Sequence, residues 1–362
     1  MTLREMRPEE ARGLQLRAMK NFIRALEAPF VTKPKEAMVA EQDGEIIGGF
    51  IYSIEESKKC KLGFIDFFFV ENRYMGRGLG RALCRAGVAH LWAKGCDYLG
   101  AVVRDDNVGS WAAFERNGFI RVGLLAYAKA VGLVNFMKTN LIHGYGFSPG
   151  CNLYFATRPE KETNPGLYIK KFGVKQLITH LVFNSLLVFI IFILNYFNAN
   201  RINTNYYEFL YVLQKWLLSG AVIFGGIIFI TYMGTFFSRR KWRYQLTTGG
   251  GLLGLLVSLA GGVLPLMGNF YPEKYENTKK FRRDMAITAM LPWLLLMAAL
   301  RVLPGLDVEF LHTGFMNVMV QILLVMRCIP LFAVNLGSSR VYKYNKILWL
   351  VMVGISVAML VK

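Results

Sequence analysis

Histidine is scarce in these 362 residues: there are four, and no two stand at the spacing of paired metal ligands on a helix. The five cysteines, Cys60, Cys84, Cys96, Cys151 and Cys328, include no CxxC pair, which leaves neither a zinc spacing nor a disulfide framework and suits reduced thiols. Acidic residues thin out along the chain. Residues 1–173 carry 18 Asp and Glu against 25 Lys and Arg, whereas residues 174–362 carry 6 against 18. In that second part the basic residues gather in short clusters between long apolar runs, where membrane loops carry them. The formal charge of +19 is therefore no argument for nucleic acid. The start, "MTLREMRPEEARGL", lacks the apolar core of a signal peptide, and the first domain is expected to stay cytoplasmic.

What is present divides in two. Residues 1–157 mix charge evenly with apolar residues and alternate short strands with helices, the pattern of an α/β domain with a mixed sheet. "TLREM" is expected as a strand and Pro8 to Glu27 as helical. "AMVAEQDGEIIGGFIYSIEE" is expected as a hairpin turning on Asp43-Gly44. A strand follows from Lys61 to Val70, and a helix from Gly78 to Lys94. "YLGAVVR" is a strand, "NVGSWAAFERNG" a short helix ending on Gly118, and "FIRVGLLAY" a last strand. Residues Lys129 to Gly146, apolar and basic in turn, suit a helix lying on a bilayer surface. A linker is expected over 158–173, with "RPEKETNPG" at its start.

Residues 174–362 read as an all-α, multi-pass membrane domain. Spans are expected at Gln176 to Asn200, Trp216 to Phe237, Met285 to Leu300, Phe310 to Met326 and Ile347 to Val361, the last short of the usual length of about 20 residues. Residues 246–268, "LTTGGGLLGLLVSLAGGVLPLMG", are long enough to cross but rich in glycine. If they cross, "RRKWR" and "KKFRR" fall on opposite sides, against the positive-inside tendency. If they dip in and return, both clusters are cytoplasmic. The re-entrant reading is preferred and gives five spans; crossing gives six.

The stretch "FFFVENRYMGRGLGRAL" sets a glycine-rich turn between a strand and a helix. Such a turn offers unpaired N–H groups and the helix dipole to a phosphate, with Arg77 and Arg81 adding positive charge. A tight connection with no ligand explains the same glycines. The strand "IDFFFV", the turn "MGRGLGRAL" and the later "NVGSWAAFERNGF" together resemble the GNAT superfamily of acetyl-CoA-dependent N-acetyltransferases, with its Q/R-x-x-G-x-G/A loop and its N-x-x-A-x-x-x-Y-x-x-x-G-F helix. The resemblance covers about residues 1–157. It implies a V-shaped opening between the strand ending at Val70 and the strand near Val102. Pantetheine would pair with backbone at Phe69 and Val70. Pyrophosphate would sit on the turn formed by Met75, Arg77, Gly78, Leu79 and Gly80 beside Arg81, and Asn107 would touch the cofactor arm.

Two positions depart from the family pattern. Met75 stands where Gln or Arg is usual, and Phe114 where a Tyr would protonate the leaving thiolate. An attacking amine must be neutral, so a base is useful. Asp66, which interrupts an apolar strand, is the first candidate and Glu71 the second. A solvated strand end explains Asp66 equally well.

The helical half faintly resembles a site-2 protease. Where that family's H-E-x-x-H would fall, Thr231, Tyr232 and Thr235 stand instead. Pro292 alone would remain of a G-P-x-x-N signature, and Arg327 replaces an Asn ahead of the last loop. No metal site and no working metalloprotease is expected. A generic membrane anchor is the plainer alternative. The expected function is a membrane-anchored N-acetyltransferase using acetyl-CoA on an amine of a protein or small molecule. The alternative is a catalytically weak acetyl-CoA sensor whose membrane half binds a transmembrane partner.

Overall fold

The computed structural model describes residues 1–21, 31–104, 107–160, 174–198, 206–272, 276, 278–329 and 337–361. They fall into two compact units. One holds the described residues up to Val103, Asn107–Gly144 and those from Asn152 to 160. The other holds Arg104, Tyr145–Cys151 and the described residues from 174 onward.

The first unit runs β1 (Thr2–Glu5), α1 (Ala11–Asn21), β2 (Glu36–Gln42), β3 (Glu45–Glu56), β4 (Lys61–Val70), α2 (Leu79–Ala93), β5 (Tyr98–Arg104), α3 (Val108–Glu115), β6 (Ile120–Arg121), α4 (Leu124–Leu141) and β7 (Cys151–Thr157). The seven strands make one sheet in the order β1-β2-β3-β4-β5-β7-β6. The first four are antiparallel neighbours, and β4 pairs with β5 in parallel. This is the mixed α/β sheet with flanking helices that the alternating sequence implies. The β2–β3 hairpin turns on Asp43 and Gly44, both at positive φ (52° and 78°), as a two-residue turn matching strand twist requires.

Helix α2 packs its buried Leu83, Val88 and Leu91 on the sheet, each side chain contributing about 2 kcal/mol by burial. Gly87 sets how close it comes, because a Cβ there would lie 2.5 Å from the Phe50 ring of β3.

One expectation fails in this unit. The strand expected over Phe119 to Tyr127 is reduced to Ile120–Arg121, and the chain turns helical at Leu124. Tyr127 and Val131, four residues apart and both fully buried, show that helical period governs here. The place beside β5 is taken by β7, whose first six residues are all buried, and β6 is left as the edge strand. The expected continuation of the first helix beyond residue 21 and the linker beyond residue 160 lie outside the described residues.

The second unit contains α5 (Val174–Asn198), α6 (Tyr206–Thr235), β8 (Trp242–Leu246), α7 (Gly251–Leu259), β9 (Gly268–Pro272), α8 (Lys279–Val302), α9 (Thr313–Cys328), α10 (Ser338–Tyr344) and α11 (Lys346–Leu360). Among the described residues, three helical stretches are long and apolar enough to cross a membrane: Gln176–Tyr196, Tyr206–Thr235 and Lys279–Gly305. Two shorter apolar helices, Thr313–Cys328 and Lys346–Leu360, accompany them. Strands β8 and β9 pair antiparallel with Leu246 opposite Gly268, so the chain between them returns beside its own start.

Several polar groups on these helices face inward, and two of them bind backbone. Asn184 clasps the backbone of Leu266, donating to its carbonyl at 2.8 Å and accepting from its N–H at 3.0 Å. The buried Arg327 donates to the carbonyl of Ala289 at 3.1 Å, which places it on the inner side of its helix.

Candidate active site

The ladder between β4 and β5 is short. Leu62 to Ile65 face Tyr98 to Ala101, after which β4 continues to Val70 and β5 to Arg104 without pairing. The two strands diverge there, and among the described residues no strand pairs with the β5-facing edge of residues 67–70. Phe69 and Val70 lie on this stretch, held from the other side by Gly49 and Gly48 of β3.

The divergence begins at a bulge. Ile65 pairs with Tyr52 and Phe67 with Ile51, which leaves Asp66 as the extra residue of β4. A bulge turns one side chain out of alternation, and here it turns a carboxylate. Asp66 Oδ1 lies 2.8 Å from His143 Nδ1, just beyond the end of α4. Since a carboxylate only accepts, Nδ1 carries the hydrogen. The His143 ring is stacked on Phe64 with centroids 4.0 Å apart, and its side chain is 4% exposed. Its Nε2 is buried without a hydrogen-bond partner, the nearest carboxylate oxygen being Glu55 Oε1 at 3.7 Å. Glu55 is itself bound to Lys138 at 2.5 Å. Sequence reading singled out Asp66 but not His143, because 77 residues separate them and no spacing rule joins them.

Glu71, the second carboxylate, is placed differently. It accepts from Arg17 at 2.6 Å and from Arg73 at 3.0 Å, so it ties α1 to the loop after β4.

The glycine turn follows. After a short 3-10 turn at Asn72–Tyr74, Gly76 and Gly78 take φ of 82° and 79°, a region costly for any side chain. Gly78 is the N-cap of α2, no side chain caps it, and the first turn holds no acid. Its carbonyl accepts from Ala82 at 3.1 Å, so the N–H groups ahead of Ala82 precede the helical ladder. A Cβ built at Gly76 or Gly78 would meet nothing within 4 Å. Leu79 is buried, while Met75, Arg77 and Arg81 are exposed. A cavity of about 190 Å³ lies beside the turn, with Tyr74, Arg77, Gly78 and Leu79 in its wall. Open space, uncapped donors and two exposed arginines, Arg77 over the Tyr74 ring at 5.9 Å and Arg81, suit an anionic phosphate.

Asn107 is the N-cap of α3, accepting from the Ser110 N–H at 3.3 Å. Phe114 is buried between Phe68, Phe119 and Tyr154, with centroids at 6.1, 5.0 and 6.3 Å. Burial pushes the Cys84 thiol up to about 12 and, more than its charged neighbours do, the Cys96 thiol up to about 11, which keeps both as thiols at neutral pH.

Residues 3–119 match the Acetyltransferase (GNAT) family, and a GNAT acetyltransferase domain occupies that stretch. The chain is 32% identical over 87 residues to mycothiol acetyltransferase of Streptomyces coelicolor, covering 24% of this chain and 28% of that protein. It is 24% identical over 132 residues to N-alpha-acetyltransferase MAK3 of Arabidopsis thaliana, covering 36% of this chain and 69% of that one. Among solved structures, an acetyltransferase of the GNAT family from Streptococcus pneumoniae aligns at a TM-score of 0.30 and 19% identity, over 34% of this chain and 86% of that chain. That TM-score adds no weight. The family match ends before α4, so Asp66 lies inside it and His143 outside.

Proposed function

We propose that this chain is a membrane-anchored N-acetyltransferase that moves the acetyl group of acetyl-CoA to an amine. The observation that carries the reading is the sharing of one strand by both parts of the site. Strand β4 bears Asp66 where it parts from β5, and its end leads into the uncapped glycine turn of α2. Acetyl-CoA would supply the activated thioester, with its pyrophosphate held by the N–H groups at Arg77 to Gly80 and its pantetheine arm along Phe69 and Val70. Asn107 would contact that arm with what its capping role leaves free. Asp66 would take the proton from the attacking amine, and His143 would hold Asp66 in place. The acceptor is a protein or small-molecule amine.

Anchoring is supported by the three apolar helices long enough to cross. The return of the 246–268 segment beside its start favours a re-entrant loop there, hence five spans with the N-terminal domain cytoplasmic. For the helical half we favour a scaffold that binds a transmembrane segment. Thr231 and Thr235, which the faint protease resemblance would align with its histidines, spend their hydroxyls on carbonyls of their own helix, Ile227 at 2.6 Å and Tyr232 at 2.7 Å.

The second reading, an acetyl-CoA sensor, is favoured by Phe114, which offers no hydroxyl to the leaving thiol. The test is acetyl-CoA binding and thiol release by the full chain in detergent with a panel of amines. Binding that is lost in Gly78→Glu, with release that is lost in Asp66→Asn, supports the enzyme. Binding without release in any amine supports the sensor. Absence of binding removes both.

A further inference from the structure

Helix α4 is inside out. Its buried stripe is Tyr127, Val131, Asn135 and Thr139, at a strict spacing of four. Those positions are joined by polar contacts: Tyr127 and Thr139 share a hydrogen bond of 2.7 Å, and Asn135 donates to Ser57 at 3.1 Å and to the Cys60 carbonyl at 3.3 Å. The opposite face is apolar and open. Leu133 is 73% exposed and Ile142 just beyond the helix 68%, with Val134, Met137 and Leu141 exposed between them. A helix on a water-facing surface shows the reverse arrangement. The helix carries Lys129 and Lys138 and no acidic residue; Lys138 is paired with Glu55 at 2.5 Å, so the cations of this rim are Lys129 and the exposed Lys58 and Lys59 of the neighbouring β3–β4 turn, with the Lys59 ammonium donating to the Lys129 carbonyl at 2.6 Å. Gly132 breaks the helix at φ 81° with the Lys59 stem packed against it, so those turn lysines are fixed beside the apolar face.

We infer that the outer face of α4 lies in the headgroup region of an anionic bilayer. An apolar stripe rimmed by lysine is the pattern of a helix that sinks about 5–10 Å into the lipid interface. The same chain carries three helices able to cross a membrane, which supplies that surface. A second copy of the chain would bring lysine against lysine across such a face. On the acetyltransferase reading above, the acceptor amine is then one presented at the lipid surface, because His143, which holds Asp66, directly follows this helix.

The experiment uses the full chain in liposomes of phosphatidylcholine and phosphatidylglycerol with brominated acyl chains. A polarity-sensitive fluorophore is placed by Leu133→Cys, Met137→Cys or, as control, Arg12→Cys on α1. The unsubstituted chain gives the labelling background. Emission is expected to be lost at 133 and 137 and retained at 12, and the loss is expected to shrink when phosphatidylglycerol is omitted. Emission retained at all three positions overturns the inference, and disulfide dimers of the Leu133→Cys chain would then assign the face to a second copy. Quenching unchanged without phosphatidylglycerol overturns the anionic part. None of these readings depends on turnover, so failure of the acetyl-CoA assay leaves them intact.

Discussion

His143 Nδ1 stands 2.8 Å from Asp66 Oδ1, in a ring stacked on Phe64 and almost closed to water. The bulge frees the carboxylate from the regular alternation of β4, and the imidazole then fixes where it points. Asp66 thus stands where the sheet splits, one carboxylate oxygen held by the imidazole and the side chain 24% exposed.

Replacing Asp66 by Asn keeps the shape and removes the base. Turnover is expected to fall by about 10²-fold or more, with acetyl-CoA affinity unchanged. His143→Gln is expected to lower kcat by about tenfold while leaving KM for acetyl-CoA alone. A purely structural histidine would instead lower stability and leave both constants intact, so steady-state kinetics beside urea unfolding of the same variants separates the two.

The glycine turn allows a contrast between neighbours. At Gly78, with φ of 79°, alanine is expected to cost about 1–2 kcal/mol and to weaken acetyl-CoA binding. At Gly80, inside α2, an added Cβ would sit 3.6 Å from Phe68 and Val70, an ordinary contact. Gly80→Ala is expected to leave the free energy of unfolding unchanged or to raise it by up to about 1 kcal/mol. Equal destabilisation at both would remove the left-handed requirement from the argument.

Much of this was legible in the sequence. The Asp43-Gly44 hairpin, β4, α2 and α3 announce themselves through turn chemistry and local periodicity, and the glycine turn sits where its residues put it. The region after Gly118 was not. "GLLAYAKA" suits a strand by composition, and only the burial of Tyr127 and Val131 four residues apart decides for helix. Strand β7 escaped because "CNLYFAT" is a short apolar run with no period. His143 was missed for a different reason: its role comes from packing across the sheet, which local pattern does not encode.

Acid should loosen the first strand. Hydrogen bonding from Arg4 at 2.6 Å holds the Glu10 carboxyl down at about 2, and Arg4 also donates to Glu41 at 2.6 Å. The folded value lies below the ordinary one, so this stabilisation is present above about pH 4.5 and is lost as the pH falls toward 2. Near the surface it amounts to about 1 kcal/mol. Glu10→Gln is therefore expected to lower the urea midpoint at pH 7 and to match the unsubstituted chain at pH 2.

Phe114 gives the sharpest division between enzyme and sensor. It lies in an aromatic cluster with Phe68, and Phe68 is on the stretch of β4 beyond the split. A tyrosine there adds one hydroxyl to a ring whose packing is otherwise unchanged. If amine transfer already proceeds, Phe114→Tyr supplies a proton donor for the leaving thiol and is expected to raise kcat by about tenfold, with acetyl-CoA affinity unchanged. The reason is chemical: coenzyme A leaves as a thiolate without help, but leaves faster with a proton. Thermal unfolding of the variant controls for the added polar atom, which costs about 1–3 kcal/mol if it ends up buried and unpaired. A stable, acetyl-CoA-binding Phe114→Tyr chain with no thiol release in any amine would take the sensor's side, because the family's missing donor would then have been restored without restoring the reaction.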